Sequence, residues 1–128
     1  MKNLLWAIVA LIIVMACSGA TPEEMASLAA KGYYVHLIHG EYEQFLEGKN
    51  GADSLPDDYR EQLLTSYRQF MAQQEHAHHG IREVRISRAS TDTLRHLTSV
   101  FLVLCYGDSI NEEIVVPMVE HDKGWRMK

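Results

Sequence analysis

Apolar residues come in three regimes along this chain: an unbroken run near the start, then intervals of three and four, then alternation. The middle regime predicts helices. Thr21-Pro22-Glu23-Glu24 opens the first, with threonine able to cap, proline suited to the first turn, and two acids placed at the positive end of the helix dipole. Leu28, Val35, Ile38, Tyr42 and Phe45 follow at helical spacing, and Gly40 is expected to break the helix, leaving GEYEQFLEG as a second, short one. Lys49-Asn50-Gly51-Ala52-Asp53 reads as a loop. Ser54 is then expected to cap a third helix, with Asp57 in capping-box position, an apolar face of Tyr59, Leu63, Tyr67 and Phe70, and an end at His78-His79-Gly80.

Beyond Gly80 the period drops to two. IREVRISRA predicts a half-buried strand with Val84 and Ile86 inward, and LRHLTSVFLVLCYG a long central one. GDSIN is a turn, EEIVVPMVE a third strand, HDKG a hairpin turn and WRMK a closing strand. Pro117 cannot donate a ladder hydrogen bond, so the third strand is expected at an edge or with a bulge. Helices followed by a four-stranded antiparallel meander make the fold class α+β, with the N-terminal helices packed on one face of a curved sheet. Phe101 and Trp125 are expected in its core.

The apolar run LLWAIVALIIVM, Leu4 to Met15, is too short to span a bilayer, which takes roughly 20 residues, and matches the apolar region of an export signal. It ends in V-M-A-C, which resembles a bacterial lipobox through Val14, Ala16 and Cys17; Met15 departs from the usual small residue. The resemblance implies cleavage before Cys17 and diacylation of that cysteine as the mature N-terminus. Two acyl chains give the stable attachment that one does not. The expected organisation is a signal peptide over 1–16, a tether over 17–21 and one α+β domain over 22–128. The address is the bacterial cell envelope; because Ser18 is not the aspartate that signals inner-membrane retention in some enterobacterial relatives, it is the outer membrane.

A lipidated Cys17 leaves Cys105 without a partner. In FLVLCYG both strand faces are apolar, so Cys105 is expected as an inert buried thiol. A formal net charge of −5 argues against nucleic acid as a partner. Arg82, Arg85 and Arg88 are interrupted by Glu83 and, by simple alternation, do not share one strand face.

The element order, with the aromatic-rich GYYVHLIHGEYEQFLEG, the helix from LPDDYREQLL, the GIREVRI strand and the final GWRMK, resembles small bacterial lipoproteins of the cystatin-like, nuclear-transport-factor-two-like superfamily. The resemblance implies a sheet wrapped around a long helix into a cone whose open end can hold a pocket. It names no reaction, since function varies widely on that fold.

Candidate chemistry is sparse. Glu75, His78 and His79 fall at i, i+3 and i+4 on a helix and could offer a carboxylate and two imidazoles to a metal; histidines also suit a last helical turn for its dipole alone. His36 and His39 flank the first helix, His96 opens a strand and His121 sits in a turn. Some enzymes on the resembled fold pair a pocket acid with a phenol. Tyr33, Tyr34 and Tyr106 could supply the phenol, but Asp92, Asp108 and Asp122 lie in turns and Glu112 and Glu113 at a strand start, where nothing obliges them to face a pocket. No catalytic residue, metal site or cofactor is therefore assigned. The expectation is a membrane-tethered domain that binds a small apolar or amphipathic ligand, a peptide or an envelope protein. The alternatives are a small hydrolase or isomerase using a pocket acid, and a structural envelope assembly protein.

Overall fold

A computed structural model describes residues 19–122 and 124–128; Cys17 and the apolar run before it lie outside the described residues. Helix α1 spans Pro22–Ile38, and Thr21 caps it by accepting a hydrogen bond from the Glu24 N–H at 3.2 Å. Its buried face is Ala26, Ser27, Ala30 and Leu37, which corrects the expected one: Leu28 is 62% exposed. Small residues bring the helix backbone close to the sheet, so the seam runs through the alanines and not through the larger apolar side chains.

Gly40, at φ 77°, stops this helix as expected, and α2 follows over Tyr42–Glu47. A short 3-10 turn over Ala52–Ser54 takes up Ser54, so the expected capping box does not form. Helix α3, Asp57–His78, starts after Pro56 with no side-chain cap. It buries Leu64 alone; Tyr59 and Phe70 are exposed, and Leu63 and Tyr67 are half-buried. Of the expected apolar face, Tyr67 packs against the core cluster.

The sheet is a meander of β1 (Ile81–Asp92), β2 (Leu97–Tyr106), β3 (Asn111–His121) and β4 (Gly124–Met127), antiparallel and in that spatial order. The far edge of β4 is covered by the segment after α2: the Asn50 N–H donates to the Met127 carbonyl and the Met127 N–H to the Gly48 carbonyl, both at 2.7 Å. Gly48 is required there, because a Cβ would enter the ring of Tyr33.

β2 alternates cleanly. Thr98, Val100, Leu102, Leu104 and Tyr106 are buried against the helices, whereas Leu97, Ser99, Phe101, Val103 and Cys105 face outward and are half-buried. Among the described residues helices cover one face only, so the expectation that β2 is buried on both sides is corrected, and with it the burial of Cys105 and the core position of Phe101. Phe101 instead lies under the Arg88 guanidinium, 3.6 Å from the ring centroid. Trp125 is partly buried against the core.

Register shifts between Ile81 and Glu83 and between Ile86 and Arg88 mark two bulges in β1. The second puts Arg85 opposite Val103 and Arg88 opposite Phe101, so these two arginines do share the outer face, contrary to simple alternation. Ile86 faces inward opposite Leu102 but stays 38% exposed, beyond the cover of α1. Pro117 pairs with Ser99 without a bulge, and its carbonyl accepts from Lys128 just past the end of β4. β3 is thus an interior strand between β2 and β4 without a bulge, which corrects the expected edge or bulge; the missing Pro117 N–H is tolerated because it faces Lys128, just past the end of the short strand β4.

Candidate active-end cavity

α1 crosses the sheet from the Thr98 end to the Tyr106 end. At the first end Glu23 accepts from the Thr91 hydroxyl at 2.7 Å, and Ala26, Ala30, Val100, Leu102 and Met118 pack with no or almost no exposure. At the second, larger side chains hold the layers apart around a cavity of about 410 Å³. Its walls are Tyr34, Leu37, Phe45, Tyr67, Phe70, Leu104 and Ile114, and its polar groups are Gln74, His78, Tyr106 and Glu112. Tyr34 and Tyr67 each meet Phe45 edge-on, with centroids 5.2 and 4.9 Å apart. Burial raises the pKa of the Tyr34 and Tyr67 phenols, so these walls stay neutral.

The polar end is assembled by backbone. Helix α3 stops at His78 because His79 and Gly80 both take left-handed conformations, with φ of 59° and 81°. The β2–β3 turn then docks on the helix end: Gly107 N–H donates to the Gly80 carbonyl at 2.9 Å and Asp108 N–H to the His78 carbonyl at 3.0 Å. Gly107 permits this, since a Cβ would meet the His79 backbone.

The docking brings side chains together. His78 Nδ1 donates to Asp108 Oδ2 at 2.8 Å, and the His78 ring lies tilted on Tyr106, centroids 4.6 Å apart. A carboxylate can only accept, so Nδ1 carries a proton. The hydrogen bond from His78 holds the Asp108 carboxyl below its usual range, partial burial opposing it. Tyr106 donates to Glu112 Oε2 at 3.1 Å. Burial, aided by that hydrogen bond and the Glu112 charge, pushes the Tyr106 phenol up to about 12.

The three candidate metal ligands separate. His78 turns to Asp108, His79 is the exposed helix cap, and Glu75 lies over Gly80; among the described residues no three His, Cys, Asp or Glu converge. Tyr33 faces β4, donating to the Trp125 carbonyl at 2.6 Å and accepting from Arg126 at 2.9 Å, whereas Tyr34 and Tyr106 reach the cavity. Of the acids dismissed as turn or strand-start residues, Asp108 and Glu112 belong to this end. Asp92 instead ties its own turn through the Leu94 and Arg95 N–H groups, and Asp122 and Glu113 are exposed. His36 and His39 flank the Glu41 carboxylate, His96 lies in the turn before β2 at φ 52°, and His121 is exposed beside Asp122.

Glu112 had a readable signal. Val116 and Met118 face inward, so period two puts Ile114 and Glu112 on the same face, one carboxylate at the end of an apolar row. Asp108 had none, because its place depends on a contact between α3 and a distant turn.

The architecture matches a known fold. A crystal structure from Campylobacter jejuni, provisionally named an NTF2-like transpeptidase, superposes with a TM-score of 0.61 at 12% identity over 77% of this chain and 92% of that one. The chain has an NTF2-like fold. At such identity the likeness extends to the fold alone. No family model matches the sequence, and no curated protein does. Among the described residues no helix is long and apolar enough to cross a membrane.

Proposed function

We propose that this chain is an envelope lipoprotein, anchored through acylated Cys17 and addressed to the outer membrane, whose NTF2-like domain binds a small amphipathic ligand. The observation that carries the binding half is the cavity of about 410 Å³, with an aromatic wall and polar groups gathered at one end. Ligand sites typically span about 300–1,000 Å³ and combine such walls with a few convergent polar atoms. The anchoring half rests on the V-M-A-C stretch after the apolar run.

Two measurements test it. Intact mass of membrane-purified protein is expected to show Cys17 as the first residue with at least two acyl chains, and Cys17→Ala to accumulate as unprocessed precursor; normal maturation of that variant refutes the anchor. Calorimetry with 1-hexanol is expected to show saturable binding that Ile114→Trp, which fills the cavity, removes. A second reading is favoured by the His78–Asp108 pair. A histidine oriented by a carboxylate is the arrangement of a general base, so proton abstraction from a bound ligand is the enzymatic alternative.

A further inference from the structure

We propose that the ligand of this cavity is an organic cation: an ammonium group on an apolar body, its charge held by Glu112. The proposal rests on the cavity being a binding site and adds the charge of what it binds.

The register puts Glu112 on the inner face opposite Leu104, at the end of the row Ile114, Val116, Met118. Its carboxylate accepts from the neutral Tyr106 hydroxyl at 3.1 Å, and no cationic side chain reaches it among the described residues. Asp108, by contrast, accepts a hydrogen bond from His78 and does not line the cavity. The carboxylate that lines the cavity is thus that of Glu112, and among the described residues no lysine or arginine lines it.

That imbalance sorts ligands by charge. An uncharged ligand covering the mouth takes water from Glu112 without replacing it, and stripping an ion of its partners is costly. An anion adds repulsion. A cation supplies the missing partner, and an aromatic lining of Tyr34, Phe45, Tyr67, Phe70 and Tyr106 suits positive charge, which the ring quadrupole attracts. Leu37, Leu104 and Ile114 accommodate the apolar body. Tyr106 meanwhile fixes one carboxylate oxygen, which leaves the other for the ammonium.

The test uses three probes with one hydrocarbon chain: hexyltrimethylammonium, 1-hexanol and hexyl sulfate. Each is titrated calorimetrically into the full chain in lipid nanodiscs, with empty nanodiscs subtracted. The expected order is cation, alcohol, sulfate, with the cation favoured over the alcohol by about tenfold, the equivalent of ~1.4 kcal/mol. In Glu112→Gln that ratio is expected to fall to about one, while Glu113→Gln, on the outer face, keeps it; hexanol binding by Glu112→Gln reports that the variant is folded. Equal affinity of the three probes, or a preference that survives in Glu112→Gln, overturns the cation proposal and leaves the binding site standing. Absence of binding by all three overturns both.

Discussion

The two ends of the α1–sheet interface are built from the same elements and differ in side-chain size. At the Thr98 end, Ala26, Ser27 and Ala30 bring the helix down onto Val100, Leu102 and Met118, and the space there lies outside that close-packed seam, in a cleft of about 430 Å³ between Pro22, Thr98, Glu120 and Trp125. At the Tyr106 end, Tyr34, Phe45 and Tyr67 keep α3 off the sheet, so a helix of 22 residues buries only Leu64. Small residues close the cone and large ones open it. Close packing serves stability at one end, and at the other the aromatic edge contacts stabilise walls around a space.

The sharpest way to break that contrast is to truncate the closed end. Leu102, fully buried, is expected to lose about 2–5 kcal/mol on change to alanine in urea unfolding. A loss under about 1 kcal/mol contradicts close packing there. Enlargement gives the next effect: Ala30→Leu is expected to cost about 1–3 kcal/mol by overpacking, whereas Ile114→Phe at the open end, with space beside it, costs under about 1 kcal/mol. Equal costs would mean that the two ends are packed alike. Phe101→Ala removes a half-buried ring and its Arg88 contact from the outer face and is expected to cost about 1–2 kcal/mol, less than Leu102→Ala.

The smallest effect is electrostatic. Asp108 has a lowered pKa in the folded chain, so its contribution is present above the unfolded value of about 3.9 and is lost as pH falls through the folded value. The melting-temperature gap between wild type and Asp108→Asn is therefore expected to shrink as pH falls below about 4. A gap that does not shrink there contradicts the His78–Asp108 pairing.

The two ends also differ in how much of them the sequence reveals. Element order, the α1 cap, the Gly40 break and the meander follow from local rules, because each depends on residues within a turn or a strand period, whereas Pro117 sits in an interior strand and not at the expected edge or bulge. The faces were harder. β2 is apolar on both sides although helices cover one, so Phe101 and Cys105 read as core until the layer arrangement is known. Bulges in β1 move Arg85 and Arg88 onto one face, and alternation cannot announce a bulge. The cavity was least legible: His78 and Asp108 meet only because Gly107 lets a turn approach the end of α3, whereas Glu112 was within reach of the period-two pattern of β3.

The central claim is that the open end of the cone receives ligand and the closed end does not. Backbone amide shifts of the isotopically labelled chain, followed by NMR during titration with hexyltrimethylammonium, test it residue by residue. The largest changes are expected at Tyr34, Phe45, Tyr67, Tyr106 and Glu112, with Ala26, Ala30 and Val100 unmoved. Shifts centred instead on Leu28, Ile86 and Ala89, which line the groove between α1 and β1, would place the ligand at the closed end and contradict the account.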